Sequence, residues 1–137
     1  MSTTEREEFL AGLHVGILSV ERPHGPPLAS PIWYRYAPGG AVEFNTEAGS
    51  VKGRLLQSAR RATLCVQQET VPYRYVTVDG PVEIGPTSME ARLGLAVRYL
   101  GDEGGRSFVE QTKDVDDVLV RLTPERWFST DYGKLGG

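Results

Sequence analysis

The chain has 137 residues, of which 39% are hydrophobic and 24% are charged, and its formal net charge is −3. This length and composition predict one folded domain over residues 1–137 and exclude a disordered chain. The small negative charge argues against a nucleic-acid partner, and no apolar run is long enough to predict a membrane span.

The cysteine content and the N-terminal residues bear on the cellular setting. Cys65 is the only cysteine, so the chain cannot form an intramolecular disulfide. The first residues, MSTTEREEFLAGL, carry acidic side chains where a secretion signal would carry basic ones. Together these features predict a reducing, cytoplasmic setting.

The first part of the chain predicts one helix followed by three strands. Thr3 or Thr4 can cap a helix over residues 4–13, with acidic side chains in its first turn that complement the helix dipole. Short apolar runs then predict strands at 14–20, 28–36 and 41–46. The loops RPHGPP and APGG between them have the Gly and Pro content of hairpin connections.

The segment EFNTEAGSVKGRLLQSARR, residues 43–61, predicts a helix that begins behind Ser50. The free N–H groups of residues 51–53, the Ser50 hydroxyl and the Lys52 ammonium would converge on one small volume, which favours an anion. Gly53 costs the helix about 1 kcal/mol in propensity, and a ligand site would explain that cost. In the alternative interpretation Ser50 only caps the helix, and a solvated basic face is formed by Lys52, Arg54, Arg60 and Arg61.

The second part predicts three more strands, at 61–68, 74–84 and about 117–123, and a helix capped by Thr87 or Ser88 that ends at Gly101. Pro81 indicates that the strand at 74–84 lies at a sheet edge or is bulged near Gly80 and Pro81. The sequence of residues 133–137, GKLGG, predicts a flexible end. Strands at hairpin spacing, without a GxGxxG or GxxxxGK[ST] motif, favour an antiparallel α+β barrel over a Rossmann fold or a P-loop.

The order of these motifs resembles the pyridoxamine 5′-phosphate oxidase-like family. The resemblance rests on a strand that ends in Thr46, a helix that opens with Ser-x-Lys-x-Arg-Leu-Leu, the strand RRATLCVQ and the strand YRYVTVDGPVE, and it covers about residues 9–132. It implies a six-stranded antiparallel split β-barrel with short flanking helices. It also implies a homodimer that binds FMN or the deazaflavin coenzyme F420 in grooves between the subunits.

The same resemblance implies which residues contact the cofactor. Lys52 would hold the phosphate with Ser50 and the backbone near Val51. Independently of the resemblance, the charge of Arg54 near Lys52 would favour the longer anionic tail of F420. The ring would be lined by Pro31, Ile32, Trp33 and Thr46, and the cofactor of the opposite subunit would be reached by Tyr73, Arg74 and Tyr75. Tyr75 replaces a glutamine common in the oxidases, and Arg74 could instead face solvent or an intersubunit carboxylate.

Two departures separate this chain from a true pyridoxamine phosphate oxidase. Ser50-Val51-Lys52 replaces a consecutive Arg-Lys pair, and the ending TPERWFSTDYGKLGG lacks an arginine-rich substrate segment. With both departures, the chain resembles more closely the branch that contains the F420H2-dependent reductases. The resemblance therefore implies an F420H2-dependent reductase, or an FMN-dependent one, that transfers a hydride to a small unsaturated or conjugated carbonyl substrate. The alternatives are a flavin, deazaflavin or haem carrier without turnover, and a dimer whose groove is vestigial.

No catalytic side chain and no metal site is predicted. A flavin or deazaflavin carries the hydride itself, so the protein only has to hold the ring, exclude water and position the substrate. His14 and His24 are the only histidines, and neither has a cysteine or carboxylate at metal-ligand or triad spacing. Cys65 is expected to be a packed, unreactive thiol.

Overall fold

Seven strands and three α-helices follow one another in the computed structural model, which describes residues 1–134. In chain order they are α1 (Thr3–Ala11), β1 (Gly16–Val20), β2 (Leu28–Ile32), β3 (Val42–Glu47), α2 (Val51–Ala59), β4 (Arg61–Gln68), β5 (Arg74–Pro86), α3 (Met89–Gln111), β6 (Asp117–Leu122) and β7 (Arg126–Asp131). A short 3₁₀ helix, Tyr132–Lys134, follows. The predicted flexible end at 133–137 therefore lies mostly outside the described residues.

The seven strands form one antiparallel sheet. Six of them follow the order β2-β1-β4-β5-β6-β3, and the seventh, β7, pairs with β5. All six predicted strands are present; β4 has the expected bounds, and the bounds of the other five differ by a few residues from the expected ones. The α+β split-barrel class is thereby confirmed, and β7 is an additional strand that the sequence did not predict.

β5 links the two parts of the sheet. Its first part pairs with β4 and β7, and its second part pairs with β6, so the expectation of an edge strand is wrong. The change of partner occurs at Gly80 and Pro81, close to the predicted bulge. A Cβ at Gly80 would overlap the carbonyl oxygen of Thr123, and the Pro81 carbonyl accepts a hydrogen bond from the Thr123 amide at 3.0 Å. Only glycine permits this close crossing.

Alternating side chains of the strands fill the barrel interior. Leu64 and Val66 of β4 and Val76 and Val78 of β5 are completely buried, as the two-residue period predicts. Tyr34 is also completely buried, and its hydroxyl donates to the carbonyl of Leu10 on α1 at 2.6 Å. Burial raises the pKa of this phenol. The contact secures α1 against the core.

The helix ends follow ordinary capping chemistry. Ser2, not Thr3 or Thr4, caps α1, because its hydroxyl accepts from the Glu5 amide while the Glu5 carboxylate accepts from the Ser2 amide. Ser50 caps α2 and Ser88 caps α3, as predicted. Gly101 interrupts α3 with φ 80° and ψ 173°, but the helix resumes and continues to Gln111. Within residues 1–134, every helix is too short or too polar to cross a bilayer.

Candidate functional site

A groove of about 590 Å³ opens beside the N-terminal end of α2, between the ends of β2 and β3 and the helix α3. Six of the predicted site residues line it: Pro31, Ile32, Trp33, Thr46, Ser50 and Lys52. Residues far apart in sequence therefore meet in one concave surface, whose size is typical of small-molecule sites.

The first turn of α2 forms one end of the groove. The Ser50 hydroxyl accepts from the Gly53 amide at 3.0 Å and donates to the Glu47 carbonyl at 2.7 Å. These bonds leave the amide groups of Val51 and Lys52 as donors for an anion. A Cβ at Gly53 would overlap the carbonyl oxygens of Glu47 and Ala48. Close backbone packing is thus sufficient to require the glycine, and the predicted ligand site at this turn stays a prediction.

Lys52 is half-buried, and its ammonium donates to the Ser30 hydroxyl at 3.2 Å. Burial lowers the pKa of this ammonium. Among residues 1–134, no carboxylate lies within ion-pair distance of it; the ion pairs involve other basic side chains. Its positive charge is therefore available to a ligand in the groove.

The other basic residues of the predicted cluster do not line the groove. Arg54 is exposed, and Arg60 is the exposed C-cap of α2 with φ 57°. Arg61 pairs with the Glu125 carboxylate at 3.2 Å. The three arginines are thus exposed to solvent, as the interpretation of a solvated basic face requires. Lys52 differs from them because it lines the groove. Val51 also lies outside the groove lining, with 53% of its surface exposed.

Arg92 is a groove residue that the sequence did not reveal. It is only 7% exposed and lines the groove from the first turns of α3. Its Nε donates to the Asp117 carboxylate at 3.1 Å, and its Nη2 donates to the Thr112 carbonyl at 2.9 Å. Asp117 compensates the positive charge, so Arg92 adds polar atoms to the groove without adding net charge.

Tyr73, Arg74 and Tyr75 lie away from this chain's groove. Tyr73 is exposed, and the ring of Tyr75 stacks on that of Phe128 with centroids 6.0 Å apart. The Arg74 guanidinium donates to the Gln68 amide oxygen at 2.6 Å and lines a second cavity of about 300 Å³. Their predicted contact with the cofactor of an opposite subunit stays a prediction.

The histidines and the cysteine are also outside the groove. His14 lies beside the second cavity, with its Nε2 2.9 Å from the Phe9 carbonyl oxygen, and burial lowers its pKa. His24 is exposed in a loop, and Cys65 is half-buried in β4. The described part of the chain contains no cluster of side chains suited to a metal ion.

The chain is similar to known proteins both in sequence and in fold. The sequence model of pyridoxamine 5′-phosphate oxidase matches residues 2–131. The chain belongs to the pyridoxamine 5′-phosphate oxidase family. This membership accounts for the split barrel and for the predicted order of motifs. No curated protein matches the sequence.

Solved structures of the same fold include two that are more than a quarter identical to this chain. One, a conserved hypothetical protein (Rv2991) from Mycobacterium tuberculosis, is 28% identical with a TM-score of 0.82, over 100% of this chain and 89% of that one. An F420 reductase is 26% identical with a TM-score of 0.72, over 89% of this chain and 94% of that one. An FAD-binding protein from Mesorhizobium loti, 21% identical over 94% and 91% of the two chains with a TM-score of 0.66, shares the fold.

Proposed function

We propose that the protein is an F420H2-dependent reductase, with FMN as the alternative cofactor, and that it transfers a hydride to a small unsaturated or conjugated carbonyl substrate in the cytoplasm. One observation carries this proposal. The half-buried ammonium of Lys52, without a carboxylate partner among the described residues, lies in the same groove as the apolar residues Pro31, Ile32 and Trp33.

The residues of the groove fit a cofactor with a phosphate and a planar ring. The ammonium and the free backbone amide of Lys52, at the N-terminus of α2, supply the positive end that a phosphate requires. Trp33 and Ile32 supply an apolar wall that shields a ring from water. When bound, the reduced cofactor supplies the hydride, so the absence of a catalytic acid among the predicted residues is no obstacle.

Similarity, more than charge, favours F420 over FMN. The tail of F420 is longer and more anionic than that of FMN, but Arg54, Arg60 and Arg61 do not line the groove and Arg92 is compensated by Asp117. The preference therefore rests on the 26% identity to an F420 reductase.

Parallel titrations of FMN and F420 against the purified protein test the cofactor assignment. Lys52→Ala should weaken binding about tenfold or more, because a charge-assisted contact to phosphate contributes about 1.5–3 kcal/mol. Arg54→Ala is the matched control, since Arg54 is a basic neighbour on α2 that does not line the groove. Its FMN affinity should stay close to that of the wild type. Equal affinities in both variants would contradict the phosphate site.

Turnover is tested separately from binding. Reduced F420 and reduced FMN are offered with a panel of quinones, enones and biliverdin-like tetrapyrroles, and oxidation of the cofactor is followed by absorbance. We expect oxidation of F420H2 that depends on both the protein and the acceptor. Cofactor binding without turnover of any acceptor would instead favour the carrier.

A further inference from the structure

The second cavity lies between α1 and the ends of β5 and β7, and it shares no lining residue with the groove. Its volume of about 300 Å³ is at the lower end of the range for small-molecule sites. Its ionisable lining residues are Glu5, Glu8, His14, Arg74 and Asp131. A ligand for this cavity therefore meets charges of both signs.

The strand register places a basic and an acidic residue side by side at this cavity. Arg74 lies on the same face of β5 as the buried Val76, because alternate residues of a strand share a face. The register pairs Arg74 with Asp131 of β7 on one side and with Gln68 of β4 on the other. Directly opposed residues have Cβ atoms about 4.5–5.5 Å apart, so a salt bridge is within reach of Arg74 and Asp131. Among residues 1–134, however, no ion pair joins these two side chains.

Gln68 holds the guanidinium of Arg74 in place. The Gln68 amide nitrogen donates to the carbonyls of Thr70 and Pro72 at 3.1 and 2.8 Å, which fixes the direction of the amide oxygen. That oxygen accepts from Nε of Arg74 at 3.2 Å and from Nη2 at 2.6 Å, and the guanidinium lies 5.0 Å over the Phe9 ring. A guanidinium has five N–H groups, so these two bonds leave three without a partner among the described residues.

The acidic side chains of the cavity differ in how far they are already paired. Glu5 accepts from the Lys134 ammonium at 2.8 Å. Asp131 accepts from the Gly133 amide at 2.9 Å through Oδ1 alone, which leaves its Oδ2 for another donor. Glu8 is exposed and forms no ion pair within the described residues. The cavity thus has unused carboxylate oxygens opposite unused guanidinium N–H groups.

His14 adds an acceptor to the cavity and no positive charge. Its Nε2 donates to the Phe9 carbonyl at 2.9 Å, because a carbonyl can only accept. Burial lowers the pKa of His14, and the guanidinium groups of Arg74 and Arg98 act in the same direction. The ring is therefore neutral near pH 7, and its Nδ1 keeps a lone pair.

We propose that the second cavity binds a small zwitterion of the α-amino-acid type, with its carboxylate on Arg74 and its ammonium on Asp131. The unused N–H groups of a guanidinium match the two oxygens of a carboxylate. Because Asp131 opposes Arg74 in register, the two charges of the ligand must be close together, as they are when one carbon atom carries both. This site is independent of the function proposed above.

Three probes with the same carbon skeleton separate the two charges. L-Valine carries both, isovalerate lacks the ammonium, and isobutylamine lacks the carboxylate. Calorimetry and ligand-observed NMR measure the binding of each probe to the purified protein near pH 7. We expect L-valine to bind about tenfold or more tightly than either analogue, because a charge-assisted hydrogen bond typically contributes such a factor.

Two variants assign one charge of the ligand to each side chain. Arg74→Gln should weaken L-valine and isovalerate about tenfold or more without weakening isobutylamine. Asp131→Asn should weaken L-valine and isobutylamine without weakening isovalerate. The matched controls are Arg22→Gln and Asp114→Asn, since both residues are exposed and lie outside the cavity. FMN affinity should stay unchanged in all four variants, because none of these residues lines the groove.

Several results would overturn the assignment: no L-valine binding to the wild type, equal affinity of the wild type for the three probes, or equal L-valine affinities in each variant and its control. Loss of FMN affinity in Arg74→Gln would also overturn it, because Arg74 would then contact the cofactor of an opposite subunit. If Arg74→Gln fails to fold, the three probes on the wild type and the comparison of Asp131→Asn with Asp114→Asn decide the question.

Discussion

Lys52 combines two properties that its basic neighbours on α2 lack. It lines the groove and is partly removed from water, whereas Arg54 and Arg60 are exposed. Its ammonium donates to the Ser30 hydroxyl, which itself donates to the Pro31 carbonyl at 3.3 Å. The position of one side chain, not the number of basic residues in the segment, therefore decides where an anion would bind.

The lowered pKa of Lys52 gives a pH prediction. Burial holds this pKa below the ordinary value of 10.5. Between the lowered pKa and 10.5 the unfolded chain binds more protons than the folded one, so this residue makes the free energy of unfolding rise with pH. Phosphate binding needs the ammonium and should weaken as pH rises through the lowered pKa. We expect the ratio of FMN to riboflavin affinity to fall there, because riboflavin lacks the phosphate.

Lys52→Arg is the control for this titration, since a guanidinium stays charged throughout the range. The FMN-to-riboflavin ratio should become nearly independent of pH in this variant. Identical pH profiles for Lys52→Arg and the wild type would mean that another group titrates, and would contradict the assignment of the phosphate contact to Lys52.

The groove residues differ in how visible they are in the sequence. Ser50 and Lys52 belong to one local pattern, a helix cap followed by a basic residue, and the sequence predicted where they lie. The burial of the charged Arg92 side chain depends on its ion pair with Asp117, which is 25 residues away in the sequence. A lone arginine in a helix normally indicates a solvated face, and no local spacing signals that a distant carboxylate will cover it. Tertiary pairing of this kind could not be predicted from the chain.

At the scale of elements, the hydrophobic periodicity of the sequence predicted the strands whose alternate residues are buried. In β4 the buried residues Ala62, Leu64 and Val66 alternate with less buried ones, and the strand was predicted with its observed bounds. β7 contains no buried residue, so its sequence RWFSTD lacks the alternation that identifies a strand. The part of α3 after Gly101 was missed because Gly101 was interpreted as the end of the helix. The chain turns there and continues as helix.

Gly101 provides a stability prediction for this turn. A residue with a side chain is strained at φ 80° and ψ 173°, so Gly101→Ala should destabilise the fold by about 1–3 kcal/mol. Gly94→Ala is the matched control, because Gly94 is helical and exposed and a Cβ there meets only ordinary contacts. That variant should gain up to about 1 kcal/mol. Urea denaturation measures both, and equal midpoints would contradict a required glycine at the turn.

At the scale of the molecule, one row across the outer face of the sheet contains exposed apolar side chains. The strand register aligns Pro31, Ile17, Cys65, Thr77 and Phe128 in a single row across β2, β1, β4, β5 and β7. Ile17 is 43% exposed and Phe128 is 64% exposed. The row reaches the groove, because Pro31 lines it. A second copy of the chain that covered this row would lie next to the groove at Pro31.

The predicted homodimer can be tested on this row. A lysine in place of an interface residue loses apolar burial and places like charges across a two-fold axis, so Ile17→Lys combined with Phe128→Lys should convert a dimer into a monomer. Leu100→Lys is the control, since Leu100 is equally exposed at 44% but lies on α3. Sedimentation velocity should show a dimeric wild type and control.

If the groove is completed by the partner, the monomeric variant should also lose FMN affinity although Lys52 is intact. A wild-type monomer would contradict the dimer, and a monomeric variant with unchanged FMN affinity would show that one chain forms the whole site.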